Sequence, residues 1–178
     1  MNTAQSLLTL GALILCSIVS LNFYRQNDYI STSLDSDRYR IEALSMLTSQ
    51  IEQLSQYYYD EASTDTSNDK AVGDMTAPGS LGFEANDSSR IDDIDDLRGL
   101  TQTRAGLSGI NYRITTNVEY VILSNSRLVF SNQRQFHKRV TVSVCDAYTP
   151  PLIYHTQGDS LVRDTLRMSA VVSYWFYN

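Results

Sequence analysis

Residues 6–24 read SLLTLGALILCSIVSLNFY, and no Asp, Glu, Lys or Arg precedes Arg25. A helix needs roughly 20 apolar residues to cross a bilayer core. The dense run from Leu7 to Leu21 reaches that length with its flanks, although Ser6, Thr9, Ser17, Ser20 and Asn22 dilute it. Small residues (Gly11, Ala12, Ser17, Ser20) favour close approach of helices over contact with lipid on every side. A cleaved secretory signal would carry positive charge before the apolar run and a small-residue cleavage site after it. Residues 1–5 (Met-Asn-Thr-Ala-Gln) have no basic side chain, and Leu21-Asn22-Phe23-Tyr24-Arg25 is a poor cleavage site. An ordinary anchor would also carry the basic flank that sets orientation. The expectation is that a basic segment has been removed upstream, so that the numbering starts at a mature terminus.

The helical signal continues past this run. No Gly or Pro occurs between Ala12 and Val72. Ile30, Leu34, Ile41, Leu44, Leu47, Ile51, Leu54 and Tyr58 recur at helical spacing, with Ser31, Asp35, Arg38, Glu42, Ser45, Gln53 and Gln56 between them, which predicts an amphipathic helix. At about 1.5 Å per residue, a helix from residue 2 to about 60 would span roughly 90 Å, some threefold the hydrophobic thickness of a bilayer. The first half must be buried by lipid or other molecules, and the stripe of the second half is expected to pack on its own domain. A coiled-coil stalk is the alternative for that second half, but the stripe drifts as sheet packing would have it.

Residues 60–99 change character. Eleven acidic residues face three basic ones, a sum of 3 − 11 = −8, and Gly73, Pro78, Gly79, Gly82 and Gly99 punctuate the stretch. It reads as a long surface connection with a short helix near Ile91–Leu97. After Gly109 the period becomes two. Ile110, Tyr112, Ile114, Thr116, Val118, Tyr120 and Ile122 form one alternating set, Val140, Val142 and Val144 a second, and Leu166, Met168, Ala170, Val172, Tyr174 and Phe176 a third. These predict antiparallel strands with one buried face, with turns at Ser124-Asn125-Ser126, Pro150-Pro151 and Gly158-Asp159. Leu128–Phe130 and Leu152–His155 are candidate shorter strands. The fold class is α+β: a long N-terminal α-helix, hydrophobic in its first half, packed on a C-terminal antiparallel β-sheet. The divisions are residues 1–24 (hydrophobic helix), 25–60 (its amphipathic continuation), 61–109 (acidic connecting loop) and 110–178 (sheet domain).

The chain has 178 residues, a net charge of −6 and 19% charged residues. That length suits one domain with an appendage, and the acidic balance argues against nucleic acid as a partner. Cys16 and Cys145, with His137 and His155 as the sole histidines, cannot build a disulfide framework or a Cys-only zinc site. There is no P-loop, dinucleotide fingerprint or nucleophile elbow, so no enzymatic activity and no cofactor are expected. The histidines read as neutral, hydrogen-bonded members of the sheet. The twelve tyrosines, including Tyr57-Tyr58-Tyr59, read as strand and interface residues. Asn86-Asp87-Ser88 matches a glycosylation sequon, and residues 63–67 suit O-linked sugar. Asp92, Asp93, Asp95 and Asp96, with Glu84 and Asp87 nearby, are weak Ca²⁺ candidates, without the glycine placement and spacing of an EF-hand; a solvated acidic loop is the plainer reading. Residues 110–178 carry seven basic and four acidic residues, +3. The acidic loop of one copy is therefore a candidate to face the basic strands of the next.

The charge-free N-terminal helix, Tyr24 just past it, and the strand Lys138-Arg139-Val140-Thr141-Val142-Ser143-Val144, in this order of elements, resemble the type IV pilin and pseudopilin superfamily. The resemblance implies a short basic leader cut by a prepilin peptidase before Met1 and N-methylation there. It further implies insertion in the inner membrane before assembly, and export by the pilus assembly machinery into an extracellular helical homopolymer. Gln5, Leu7, Leu8, Leu10, Leu13, Ile14, Leu15, Ile18, Val19, Leu21 and Phe23 would be the assembly residues. Some related pseudopilins hold calcium in a loop, which bears on the aspartates above. The chain departs from the family pattern in three respects: Gln5 stands where Glu is usual and gives a weaker bond to a neighbour's amino terminus; Leu21 and Asn22 stand where proline is common; and Cys145 is the sole cysteine of its domain. The reading is a structural pilin subunit. The alternatives are a pseudopilin or minor pilin of a secretion machine, or a monomeric single-pass surface-binding protein.

Overall fold

The structure, a computed structural model, describes residues 3–63, 68–83 and 91–174. Phe176, the end of the third alternating set, lies outside them. The chain divides into two compact units, Met1–Tyr39 and Arg40–Asn178. One α-helix, α1 (Thr3–Gln53), supplies all of the described first unit and opens the second.

In the first unit every described residue from Thr3 to Asp35 is exposed. Three hydroxyls that dilute its hydropathy turn back on the helix: Thr9 Oγ1 donates to Ser6 O (2.9 Å), Ser17 Oγ to Leu13 O (2.8 Å) and Thr32 Oγ1 to Asp28 O (2.9 Å). Satisfied in this way, they leave no stray donor for a dry environment.

The second unit is the sheet and its cover. β1 (Thr101–Ala105), β2 (Asn111–Ser124), β3 (Arg127–Phe130), β4 (His137–Asp146) and β7 (Leu166–Ser173) form one antiparallel sheet in the order β1-β2-β4-β7, with β3 paired to the far end of β2. β5 (Tyr154–Gln157) and β6 (Ser160–Arg163) make a separate hairpin. The inner face is laid down in cross-strand pairs. Tyr112 faces Asp146, Ile114 Val144, Thr116 Val142, Val118 Val140 and Tyr120 Lys138, and all ten are buried. The β2–β3 connection is Asn125-Ser126, with φ of 50° and 59°, the double left-handed turn that a two-residue hairpin favours.

Within this unit α1 covers the sheet through Ala43, Leu47 and, in the 3-10 turn that follows it, Leu54. Two polar clamps fix the helix. Glu42 accepts from Ser108 N (2.9 Å), Ser108 Oγ and Tyr112 Oη (2.7 Å). Burial alone would raise its pKa, but these bonds outweigh it and hold the carboxyl below its ordinary value. Gly106 leaves room for this clamp, since a Cβ there would lie 2.5 Å from the Glu42 carboxyl. Arg40 Nη2 donates to Tyr154 O (2.8 Å) and to Asp164.

The structure corrects the sequence reading in four places. The helical stripe is two faces: Ile41 and Leu44 are exposed whereas Ala43, Leu47 and Leu54 are buried, about 110° further round at 3.6 residues per turn. Small, weakly hydrophobic Ala43 is the most deeply buried of these, which no hydropathy count would select. The helix ends at Gln53, short of residue 60. β1 and β6 arise from short segments without a sustained apolar alternation, TQTRA and SLVR, and pair with β2 and β5. Finally, the 60–99 stretch is no solvated connection throughout. Asp60, Met75, Leu81 and Asp93 to Leu97 are all buried, tied in by a parallel bridge in which Tyr58 N donates to Asp92 O and Ile94 N to Tyr58 O.

Candidate functional site

Two regions stand out. The first is the apolar helix. Leu7, Leu8, Leu10, Leu13, Ile14, Leu15, Ile18, Val19, Leu21 and Phe23 are between 51% and 76% exposed, and the helix carrying them is long and apolar enough to cross a membrane. Gln5 lies on the same helix and is exposed; Met1 lies outside the described residues. Soluble monomers rarely leave a contiguous apolar surface of this extent in water. Covering ten such side chains is worth roughly 10–20 kcal/mol gross.

The second region is a buried charged corner at one end of the sheet. Lys138 is fully buried, and its phase on β4 explains why: it points the same way as Val140, Val142 and Val144. Its ammonium has three protons and meets three acceptors, Tyr59 O (2.8 Å), Asp60 Oδ2 (2.7 Å) and Asp95 Oδ1. The Tyr59 ring centroid lies 4.4 Å from Nζ and that of Tyr120 5.3 Å. Tyr59 and Tyr120 in turn form an apolar cluster with Met75 and Leu81, against which Phe136, Val172 and Tyr174 pack.

The two carboxylates facing Lys138 differ. Asp60 also accepts from Thr76 N (3.1 Å to either oxygen), Thr76 Oγ1 (3.0 Å) and Ala62 N (3.3 Å). Tyr120 Oη, which donates to Thr76 O at 2.8 Å, reaches Asp60 Oδ2 at 3.3 Å. Asp95, by contrast, has a buried Oδ2 without a hydrogen-bond partner. Burial, with the Asp60 charge added, raises the Asp95 pKa against the opposing pull of Lys138 and Thr76. Asp93 is pushed up to about 7, first by burial and then by the Asp95 charge. Burial likewise drives the Tyr59 and Tyr120 phenols upward.

This corner takes in three of the four sequence-picked calcium aspartates, Asp93, Asp95 and Asp96, and gives them other work. Asp95 faces Lys138, Asp93 Oδ1 accepts from Asp96 N (3.2 Å), and Asp96 Oδ2 from Asp92 N (3.2 Å). Among the described residues no three His, Cys, Asp or Glu side chains are placed to hold a metal ion. Part of the loop's negative charge is thus answered inside the chain by Lys138. Sequence reading missed this cluster, yet its signal was present: a lysine on the apolar phase of an alternating strand. Asp146, at the other end of the same phase, is also buried and caps Tyr148 N (3.1 Å) and Ile153 N (3.2 Å).

His137 Nδ1 lies 2.7 Å from Ser173 Oγ, and His155 Nδ1 pairs with Asp164. Burial would raise the Asp164 carboxyl, but His155 and Arg40 bring it below its ordinary pKa. Cys16 and Cys145 are free thiols. Glu84, the Asn86-Asp87-Ser88 sequon and residues 64–67 of the Ser/Thr-rich stretch lie outside the described residues. No protein-family model, curated protein or solved structure matches this chain.

Proposed function

We propose that the chain is a structural subunit of an extracellular type IV pilus-like filament, held in the cytoplasmic membrane before assembly and polymerised through its apolar helix. The observation that carries the reading is the exposed run Leu7–Phe23 on the same α-helix that goes on to cover the sheet through Ala43 and Leu47. Covering that run, worth roughly 10–20 kcal/mol gross, is large enough to offset most or all of the roughly 4–15 kcal/mol that association costs, and each copy in a filament is covered by several neighbours. The self-satisfied hydroxyls of Thr9 and Ser17 suit a dry core. In this reading a prepilin peptidase and the assembly machinery are partners, and Met1 is the processed, N-methylated residue. Gln5 favours a second reading, a pseudopilin or minor pilin made in few copies, because an amide binds a neighbouring amino terminus less firmly than a carboxylate would.

Electron microscopy and intact mass of surface-sheared material decide between these. Filaments made mainly of this chain, with a methylated Met1, fit the first reading. A trace component of filaments built from another subunit fits the second. Material that stays as single copies in the membrane under native extraction overturns both.

A further inference from the structure

We propose that Lys138 Nζ and the side chain of Asp95 condense into an intramolecular amide bond, which ties β4 to the turn at Asp95–Leu97, with Asp60 carrying the protons. The inference is independent of polymerisation and rests on three features of the corner.

The first is placement. Nζ sits against both carboxylates and beside the rings of Tyr59 and Tyr120, and both Lys138 and Asp60 have side chains with 0% exposure. Holding an amine and a carboxyl together in this way raises their effective concentration enormously, to about 10⁵ M or more in well-oriented cases.

The second is the inequality of the two acids. Asp60 is held by the Thr76 amide and hydroxyl and by Ala62 N, so its carboxylate is solvated by the protein. Asp95 Oδ2 is buried and unpartnered, a costly state for a carboxylate oxygen. It is also the oxygen that an amide bond would discard. The upward shift of the Asp95 carboxyl favours the protonated acid, the form whose carbonyl carbon an amine attacks.

The third is charge. Condensation removes one positive and one negative charge from a dry site, where an ion is costly to bury.

The step balances without any co-reactant. Nζ passes a proton to Asp60 Oδ2 and its lone pair attacks Asp95 Cγ. The Cγ–Oδ2 bond then breaks, and Oδ2 leaves as water with the proton of the Asp95 acid and one ammonium proton relayed through Asp60, which keeps a second. The third proton stays on the new amide nitrogen, beside Asp60 Oδ2, and Asp95 Oδ1 becomes the amide oxygen.

Mass spectrometry of the full chain tests this. The expected result is a mass lighter by one water than the processed sequence, and a branched tryptic peptide joining residues 91–98 to residues 135–139, uncut at Lys138. Lys138→Arg and Asp95→Ala should each restore the full mass; because the protein is read denatured, poor folding of a variant does not blur the wild-type result. Unbranched 91–98 in the folded wild-type chain overturns the proposal. So does water loss confined to a linear peptide, which marks a cyclised aspartate, or a branch that ends on Asp60. Asp60→Asn should slow linkage at least tenfold, and full linkage at the wild-type rate would remove Asp60 from the mechanism.

Discussion

The helix from Thr3 to Asp35 and the corner around Lys138 invert the usual arrangement of a folded chain. The first holds ten large apolar side chains at solvent between Leu7 and Phe23, and the second holds Lys138, Asp60, Asp93, Asp95 and Asp96 away from it. Both follow from the same accounting. Apolar surface without a cover implies a cover supplied from elsewhere, and buried charge persists where each group has a partner in place. The difference teaches that a hydropathy scan identifies what a segment needs, whereas its surroundings settle whether this chain meets the need.

The largest expected effect comes from placing a charge on the apolar helix. Under the proposed filament role, Ile14→Lys should abolish polymerisation and weaken membrane association by about 3 kcal/mol, while thermal unfolding of the sheet unit stays unchanged. A matching fall in the sheet's melting temperature would mean that the helix serves the fold. Next, Lys138→Met removes both the cation and any link to Asp95, leaves Asp60 and Asp95 facing each other, and should cost at least about 3–5 kcal/mol in denaturant unfolding. Adding Asp95→Leu should recover part of that loss, because an apolar replacement removes the stranded charge.

Asp93 gives a smaller effect with a definite sign. Its folded pKa of about 7 stands above its ordinary 3.8, so between those values the folded state binds a proton that the unfolded chain has released. Its contribution to stability is therefore present at acid pH and declines as pH rises from about 4 through 7. Asp93→Asn keeps the Oδ1 acceptor for Asp96 N, and should raise stability at pH 8 by about 2–4 kcal/mol while flattening that slope. Glu42 and Asp164 run the other way, since their lowered pKa values stabilise the fold above pH ~4 and fail as acid protonates them. The smallest effect is at the β2–β3 turn. Ser126 adopts a φ of 59°, and Ser126→Gly should raise stability by about 0.5 kcal/mol in the same unfolding assay.

Much of the fold was legible from the sequence. The absence of Gly and Pro from Ala12 to Val72 gave the helix, and the alternation through Tyr112–Ile122 and Val140–Val144 gave β2 and β4. The turn at Asn125-Ser126 fell where polar residues interrupt that alternation. β1 and β6 were illegible because, at five and four residues, they are too short to show a period of two, despite Thr101, Thr103 and Val162. The corner was half legible. Lys138 broke the apolar phase of β4, but its partners Asp60 and Asp95 lie 78 and 43 residues away in sequence, inside a stretch whose density of acids suggested solvent.

The sequence by itself determined the elements, because helix and strand periods are local properties written into neighbouring residues. Tertiary structure alone decided that α1 would turn Ala43 and Leu47 inward and leave Ile41 and Leu44 out, and which of many aspartates would be buried. Those choices depend on which distant groups arrive at the same place, and on whether an amine or an amide hydrogen is there to meet each oxygen.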